Sequence, residues 1–224
     1  MDLGGIDYLG LDRVLRRGTG ELIASRERAV LVRDSVSGAW LLACEDRAQG
    51  AELIDRHFPP EGSLLMVSDL SLGRAVFEDC GFSDMLECYQ AAYYGKMPEA
   101  EPGLSLRAAG PGDLPLLTAS YDLLSPEELA QIVERRRLLL GYDGERLVGF
   151  VGEHLEGSMG LLYVFPPFRR RGYAAALERQ MIARTMAEGF IPFGQVEKDN
   201  LASLALQMKL GMTLSDNLIC WMWR

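Results

Sequence analysis

Histidine is scarce in this chain, with His57 and His154 the only two, and the four cysteines, Cys44, Cys80, Cys88 and Cys220, form no C-x-x-C pair. So thin a supply of ligands and thiols suggests neither a zinc site nor a disulfide framework, and no metal cofactor is expected. Long apolar runs are also missing, and the opening MDLGGIDYLG has no basic stretch ahead of an apolar core. Neither a membrane span nor a secretory leader is therefore expected, and the reading is cytoplasmic. Positive charge is in deficit: 23 Lys and Arg stand against 32 Asp and Glu, a formal net charge of −9. Phosphate backbones are held by broad basic faces, so this balance argues against nucleic acid as the main partner and favours a small or cationic one.

What remains is the composition of an ordinary globular protein, long enough for one large domain or two small ones. Over residues 95–103 the stretch GKMPEAEPG gathers two prolines, two glycines and two glutamates without a hydrophobic period. Residues 96–103 therefore read as a linker between a domain over 1–95 and another over 104–224.

In the second segment, residues 105–107 read as a short strand and 111–121 as a helix opened by Gly112-Asp113. Ser125, Pro126 and Glu128 spell a capping box for a second helix running toward Arg137. Residues 138–142 and 146–155 flank an Asp143-Gly144 turn as a β-hairpin. The apolar run 160–165 is stopped by Pro166-Pro167 and reads as a central strand. A helix over 172–188 follows, with Ala174, Leu177 and Met181 on one face and Gly189 as its stop. A strand over 193–197, a helix over 201–210 closed by Gly211 and a last strand over 218–223 complete the chain. This order implies an α/β (α+β) fold with a mixed central sheet flanked by helices.

The first segment repeats the later part of this plan. At an offset of 130 positions, LMVSD over 65–69 through Gly81-Phe82 lies on the strand, helix and closing glycine that end at Gly211-Met212, with Asp69 on Asp199 and Val76 on Leu206. Upstream, residues 40–44 followed by Arg47 and Gly50 parallel 161–165 followed by Arg169 and Gly172. A tandem repeat is expected, against the alternative of chance similarity between two α/β segments.

The chemistry concentrates at Arg169-Arg170-Arg171-Gly172-Tyr173-Ala174, between a buried strand and the start of a helix. Successive backbone N–H groups at such a turn have no intrahelical acceptor and concentrate positive potential, so a pyrophosphate can sit there. Gly172 lets the backbone approach the anion, Ala174 keeps the first turn small, and the arginines add charge-assisted bonds. Cations are unfavourable at a helix N-terminus, so three of them call for a negative partner.

Together with its flanks this pattern resembles the GNAT superfamily of N-acetyltransferases, whose members bind acetyl-coenzyme A through a strand, an Arg/Gln-x-x-Gly-x-Gly/Ala loop and a helix. Asn200, Ser203 and Lys209-Leu210-Gly211-Met212 match a second family feature further on, and the resemblance spans residues 104–224. It implies a GNAT-type fold, two tandem GNAT-like domains, and transfer of an acetyl group from acetyl-CoA to a primary amine of a small molecule, amino acid or peptide. The protein would be a monomer or homodimer. By the same resemblance the backbone of Leu162, Tyr163 and Val164 would pair with the pantetheine arm between two splayed central strands. Residues Arg169, Arg170, Arg171, Gly172, Tyr173 and Ala174 would hold the pyrophosphate, and Asn200 and Ser203 would face the cofactor.

Attack of an amine on a thioester needs a base, and the candidates are Glu153, His154, Glu156 and Glu197. Adjacent strand residues point to opposite faces, so at most one of Glu153 and His154 faces a given pocket. Many family members place a proton-donating Tyr directly after the position of Leu206, where this chain has Gln207. Either Ser203, a water or another tyrosine protonates the thiolate, or it leaves unassisted, or the protein binds acyl-coenzyme A without efficient turnover. In the first repeat Glu52 falls where Ala174 stands and Leu70 where Asn200 stands. A carboxylate there would repel a pyrophosphate, so that half is not expected to bind coenzyme A.

Overall fold

The computed structural model describes residues 1–99 and 103–224, so residues 100–102 of the expected linker lie outside the described residues. In chain order the first elements are α1 (Leu9–Arg16), β1 (Gly20–Arg26), β2 (Ala29–Asp34), β3 (Trp40–Cys44), α2 (Arg47–His57), β4 (Leu64–Val67), α3 (Leu70–Cys80) and β5 (Asp84–Ala92). Then come β6 (Leu104–Ala108), α4 (Leu114–Ser120), α5 (Pro126–Glu134), β7 (Leu138–Asp143), β8 (Arg146–Glu153) and β9 (Met159–Val164). The last are α6 (Tyr173–Ala187), β10 (Phe193–Glu197), α7 (Leu201–Lys209) and β11 (Thr213–Trp223).

The chain divides into two compact units. The first comprises Met1–Ala92, Gln195–Met208 and Met212–Arg224, the second Tyr93–Gly194 and Lys209–Gly211. These units differ from the division expected at the linker, in that most of α7 and all of β11 fall in the first unit. The reason lies in β11, which forms antiparallel ladders with β4 on one edge (Cys220 opposite Val67) and with β5 on the other (Cys220 opposite Glu87).

Within the first unit the strand order is β1-β2-β3-β4-β11-β5, with only β3 and β4 parallel. Strict alternation along these strands builds two cores. Leu42, Leu65, Val67, Cys220 and Met222 pack under Leu53, Ile54, Leu72 and Val76 of α2 and α3. Their neighbours Leu41, Met66, Ile219 and Trp221 face the other way, toward Leu11 and Val14 of α1. Asp46 and Asp69 cap α2 and α3 by accepting the Gln49 and Leu72 amides at 3.0 and 2.8 Å.

In the second unit β6, β7, β8 and β9 form antiparallel ladders in sequence order, and the start of β10 runs parallel to β9. Helix α6 lies over β7 and β8 where Leu177 fills the space above two glycines: a Cβ at Gly141 would come within 2.5 Å of its Cδ2. The residues α6 buries are Ala175, Leu177, Glu178, Met181, Ile182 and Thr185, so Ala175 rather than Ala174 begins the buried face. Ser125 accepts the Glu128 amide at 3.1 Å as its cap, but α5 stops at Glu134, short of Arg137. Arg136 adopts a left-handed φ of 57°, which ends the helix and turns the chain into β7.

Candidate active site

The ladder between β9 and β10 is confined, among the described residues, to Met159 opposite Gly194. Beyond that point β9 is held on its β8 side, with Phe150 opposite Tyr163 and Gly149 opposite Val164. Phe165 donates to the Val148 carbonyl at 3.0 Å. By the alternation of a strand, Leu162 and Val164 then aim their backbone groups at the opposite edge. That edge is where an extended ligand chain can add as a strand.

One residue is inserted in β9. The register with β8 shifts between Phe150 and Gly152, and Leu161 carries a left-handed φ of 49°. A buried leucine (1% exposed) in that conformation is strained and marks a β-bulge. Sequence reading missed it, because nothing in an apolar run distinguishes the residue that leaves the ladder.

After β9 the chain reverses through Pro166 and Pro167 and enters α6 at Gly172, whose φ is 91°. No side chain caps the helix, and Ala176 makes the first bond back, to the Gly172 carbonyl at 3.1 Å. The amides of Tyr173, Ala174 and Ala175 precede that first bond. Nothing lies within 4 Å of where a Gly172 Cβ would sit, so the approach to this helix start is open. Arg170 is left-handed as well, with φ 62°. Alternation of left- and right-handed residues gathers amides into an anion-binding concavity.

The three arginines act differently from one another. Arg169 turns back to β9, its Nε donating to the Val164 carbonyl at 2.9 Å while its guanidinium lies 5.5 Å from the Tyr163 ring centre. Arg171 lies over Phe168, and Arg170 is exposed. Tyr173 donates to Asp143 at 2.7 Å, and this bond, followed by the nearby Arg146 and Arg171 charges, holds the Asp143 carboxyl below its usual range.

Of the base candidates in this unit, Glu153 is 3% exposed and has both oxygens engaged. Arg137 donates to one at 3.1 Å and Thr185 to the other at 3.0 Å. His154 closes the β8–β9 turn through its backbone, donating to the Ser158 carbonyl at 2.8 Å. Its imidazole lies against Gly160, one residue before the bulge. Glu156 is buried and accepts the Ser158 hydroxyl. Sequence reading gave Glu128 a part in a capping box and placed Tyr121 at a helix end, yet both stand in this charged neighbourhood. Burial raises the Glu128 carboxyl, opposed by His154 and reinforced by Glu156. Burial, with Glu128 and Asp122 adding to it, pushes the Tyr121 hydroxyl up to about 12.

The remaining candidates lie in the first unit. Glu197 is exposed at the end of β10, Asn200 caps α7 by accepting the Ser203 amide at 3.0 Å, and Gln207 is buried. In that unit Gly50, matched in sequence to Gly172, sits inside α2, where a Cβ would meet Leu72 at 2.7 Å. It serves packing there. Glu52 is bound by Arg26 at 2.9 Å. A cavity of about 320 Å³ lies where β3 and β4 end, and its acidic lining of Asp7, Glu45 and Asp69 faces a single arginine, Arg47.

Among the described residues no group of His, Cys, Asp and Glu could hold a metal ion, and no helix is long and apolar enough to cross a membrane.

Residues 140–222 match the family model described as FR47-like protein. No match is found among curated proteins. Solved structures are similar along nearly the whole chain. A Drosophila protein aligns with a TM-score of 0.73 at 15% identity, over 99% of this chain and 91% of that one. A GCN5-related N-acetyltransferase-like protein from Streptococcus suis aligns with a TM-score of 0.58 at 14% identity, over 96% and 92%. A GCN5-related N-acetyltransferase from Kribbella flavida gives 0.58 at 13% identity, over 97% and 93%. The chain thus has the mixed α/β fold of the GCN5-related N-acetyltransferases, and its residues 140–222 carry the FR47-like pattern.

Proposed function

We propose that this protein is an N-acyltransferase whose second unit binds an acyl-coenzyme A, acetyl-CoA in the simplest case, and passes the acyl group to a primary amine of a small molecule, amino acid or peptide. The observation that carries this reading is a strand with an open edge and a bulge, β9, running directly into an uncapped helix that starts at a left-handed glycine. An extended pantetheine arm fits the edge of Leu162 to Val164, and a pyrophosphate fits the amides of Arg170 to Ala174. Arg170 and Arg171 supply charge outside the concavity, while Arg169 braces the strand. Asn200 and Ser203, proposed from the family pattern, belong to the first unit, and the reading does not rest on them. The first unit is a degenerate copy of the same plan that does not take coenzyme A, since Asp46 and Asp69 already occupy its helix starts.

The chemistry is direct attack in a ternary complex. Alignment of amine and thioester supplies on the order of 7–11 kcal/mol in well-oriented cases. Backbone N–H groups of the bulged strand stabilise the oxyanion, and a base takes the amine proton. Both oxygens of Glu153 are engaged, so His154 is the proposed base in this unit.

A second reading, binding of acyl-CoA without turnover, is favoured by Gln207, an amide where the family's proton donor stands. Thiol release from acetyl-CoA across a panel of amines decides between the two. Amine-dependent release above the rate without protein supports transfer; tight binding with no release on any amine supports the second reading.

A further inference from the structure

His154 ends the β8 side of its turn and its ring folds back over β9. A Cβ built on Gly160 would stand 2.5 Å from His154 Nε2 and 2.8 Å from Cδ2. The imidazole therefore occupies the volume that any other residue at 160 would need. Backbone conformation does not demand a glycine there: Gly160 has no positive φ and pairs with Gly152 in the ladder. The space taken by the ring accounts for it. The next residue, Leu161, is the bulge. Glu128 from α5 lies within electrostatic reach of His154 and of Glu156 from the turn. Glu156 already accepts the Ser158 hydroxyl.

We infer that Gly160 is a positioning residue: by lacking a side chain it seats the His154 imidazole beside the bulge of β9, where Nε2 takes the proton of the attacking amine. This rests on the acyltransferase reading. In the step, the amine nitrogen bonds to the thioester carbonyl carbon and gives one proton to Nε2. The C–S bond breaks with its electron pair on sulfur, the thiolate is protonated from water, and the imidazolium returns its proton to solvent.

The test uses the full chain and the variants Gly160→Ala, His154→Ala and the double variant. Acyl transfer from acetyl-CoA is followed against pH, and the two histidines give only two imidazole signals to follow by NMR. Acetyl-CoA and Gly160→Ala should each move the His154 signal and leave that of His57 in place. Gly160→Ala should lower kcat by roughly 10- to 100-fold, with the KM for acetyl-CoA little changed. A rise of kcat/KM with pH is expected in the wild type and should be lost in His154→Ala, and Gly160→Ala should cost nothing further in that background. Should Gly160→Ala alone fail to fold, the double variant, with the ring removed, should fold and match His154→Ala.

Gly160→Ala with wild-type kcat and pH profile overturns the inference, as does an equal loss with and without His154, or a double variant that stays unfolded. Binding and turnover of acetyl-CoA with a fully active His154→Ala overturn it while sparing the acyltransferase reading. Failure of acetyl-CoA to bind removes both.

Discussion

The Tyr173 hydroxyl donates to Asp143 Oδ2 at 2.7 Å, and Arg146 pairs with the same oxygen at the same distance. The first residue of α6 is thereby moored to the turn of the β7–β8 hairpin, and the amides beside it are held in place. Tyr173→Phe removes the mooring and keeps the ring over Phe168. Affinity for acetyl-CoA should fall roughly two- to tenfold with kcat nearly unchanged, as measured by titration and initial rates. An unchanged affinity would show that the loop holds its shape without this bond.

Glu153, Arg137, Thr185 and Glu188 form one partly buried network, with Arg137 only 2.6 Å from Glu188. Arg137 keeps Glu188 when Glu153 is neutralised, but a charge-assisted buried bond is lost, so Glu153→Gln should lower stability by roughly 1–3 kcal/mol. Thermal or urea unfolding measures this. The acyl-transfer rate of the folded variant should stay within about twofold of wild type. A collapse of kcat and its pH profile in a stable Glu153→Gln protein would instead make Glu153 the base.

Burial raises the Glu128 carboxyl in the folded protein. The folded state then holds this proton more tightly than the unfolded chain, whose glutamates titrate near about 4.3. Stability is lost as pH rises from there through the folded value. Glu128→Gln, which cannot ionise, should melt higher than wild type at neutral pH, and the gain should vanish at about pH 4. A gain of equal size at both pH values would trace to something other than ionisation.

Burial also pushes the Cys44 thiol up to about 11 and those of Cys88 and Cys220 up to about 12. Thiolate is the reactive form, so an aromatic disulfide reagent at about pH 8 should label half-buried Cys80 first in the native protein, and all four cysteines only after unfolding. Early labelling of Cys44, Cys88 or Cys220 would show that the first unit opens readily.

The elements of the second segment were legible because each carried its own local signal. Ser125 and Gly189 mark helix ends, Asp143-Gly144 marks a hairpin, and Pro166-Pro167 stops a strand. β11 begins at Thr213, five residues before the expected 218, because Ser215, Asp216 and Asn217 are polar. They lie where its register with β5 shifts. Its placement between β4 and β5 was not legible, since strand order is set by long-range packing of Ile219, Cys220 and Met222 rather than by their spacing. The loop at Gly172 was visible from its residue types. The bulge at Leu161 and the seat at Gly160 depend on register and on a neighbouring ring, which no linear pattern carries.

The proposed function depends on the start of α6 holding the pyrophosphate of an acyl-coenzyme A. Calorimetric titration of acetyl-CoA into the protein, Gly172→Ala and Gly172→Glu tests it most directly. Space around Gly172 is open, so both variants share a backbone cost of about 1 kcal/mol at this left-handed position and differ mainly in charge. One-to-one binding to the wild type is expected, with modest weakening by alanine and a loss by glutamate of at least about tenfold in affinity. No binding to the wild type, or binding that ignores the glutamate, would contradict it.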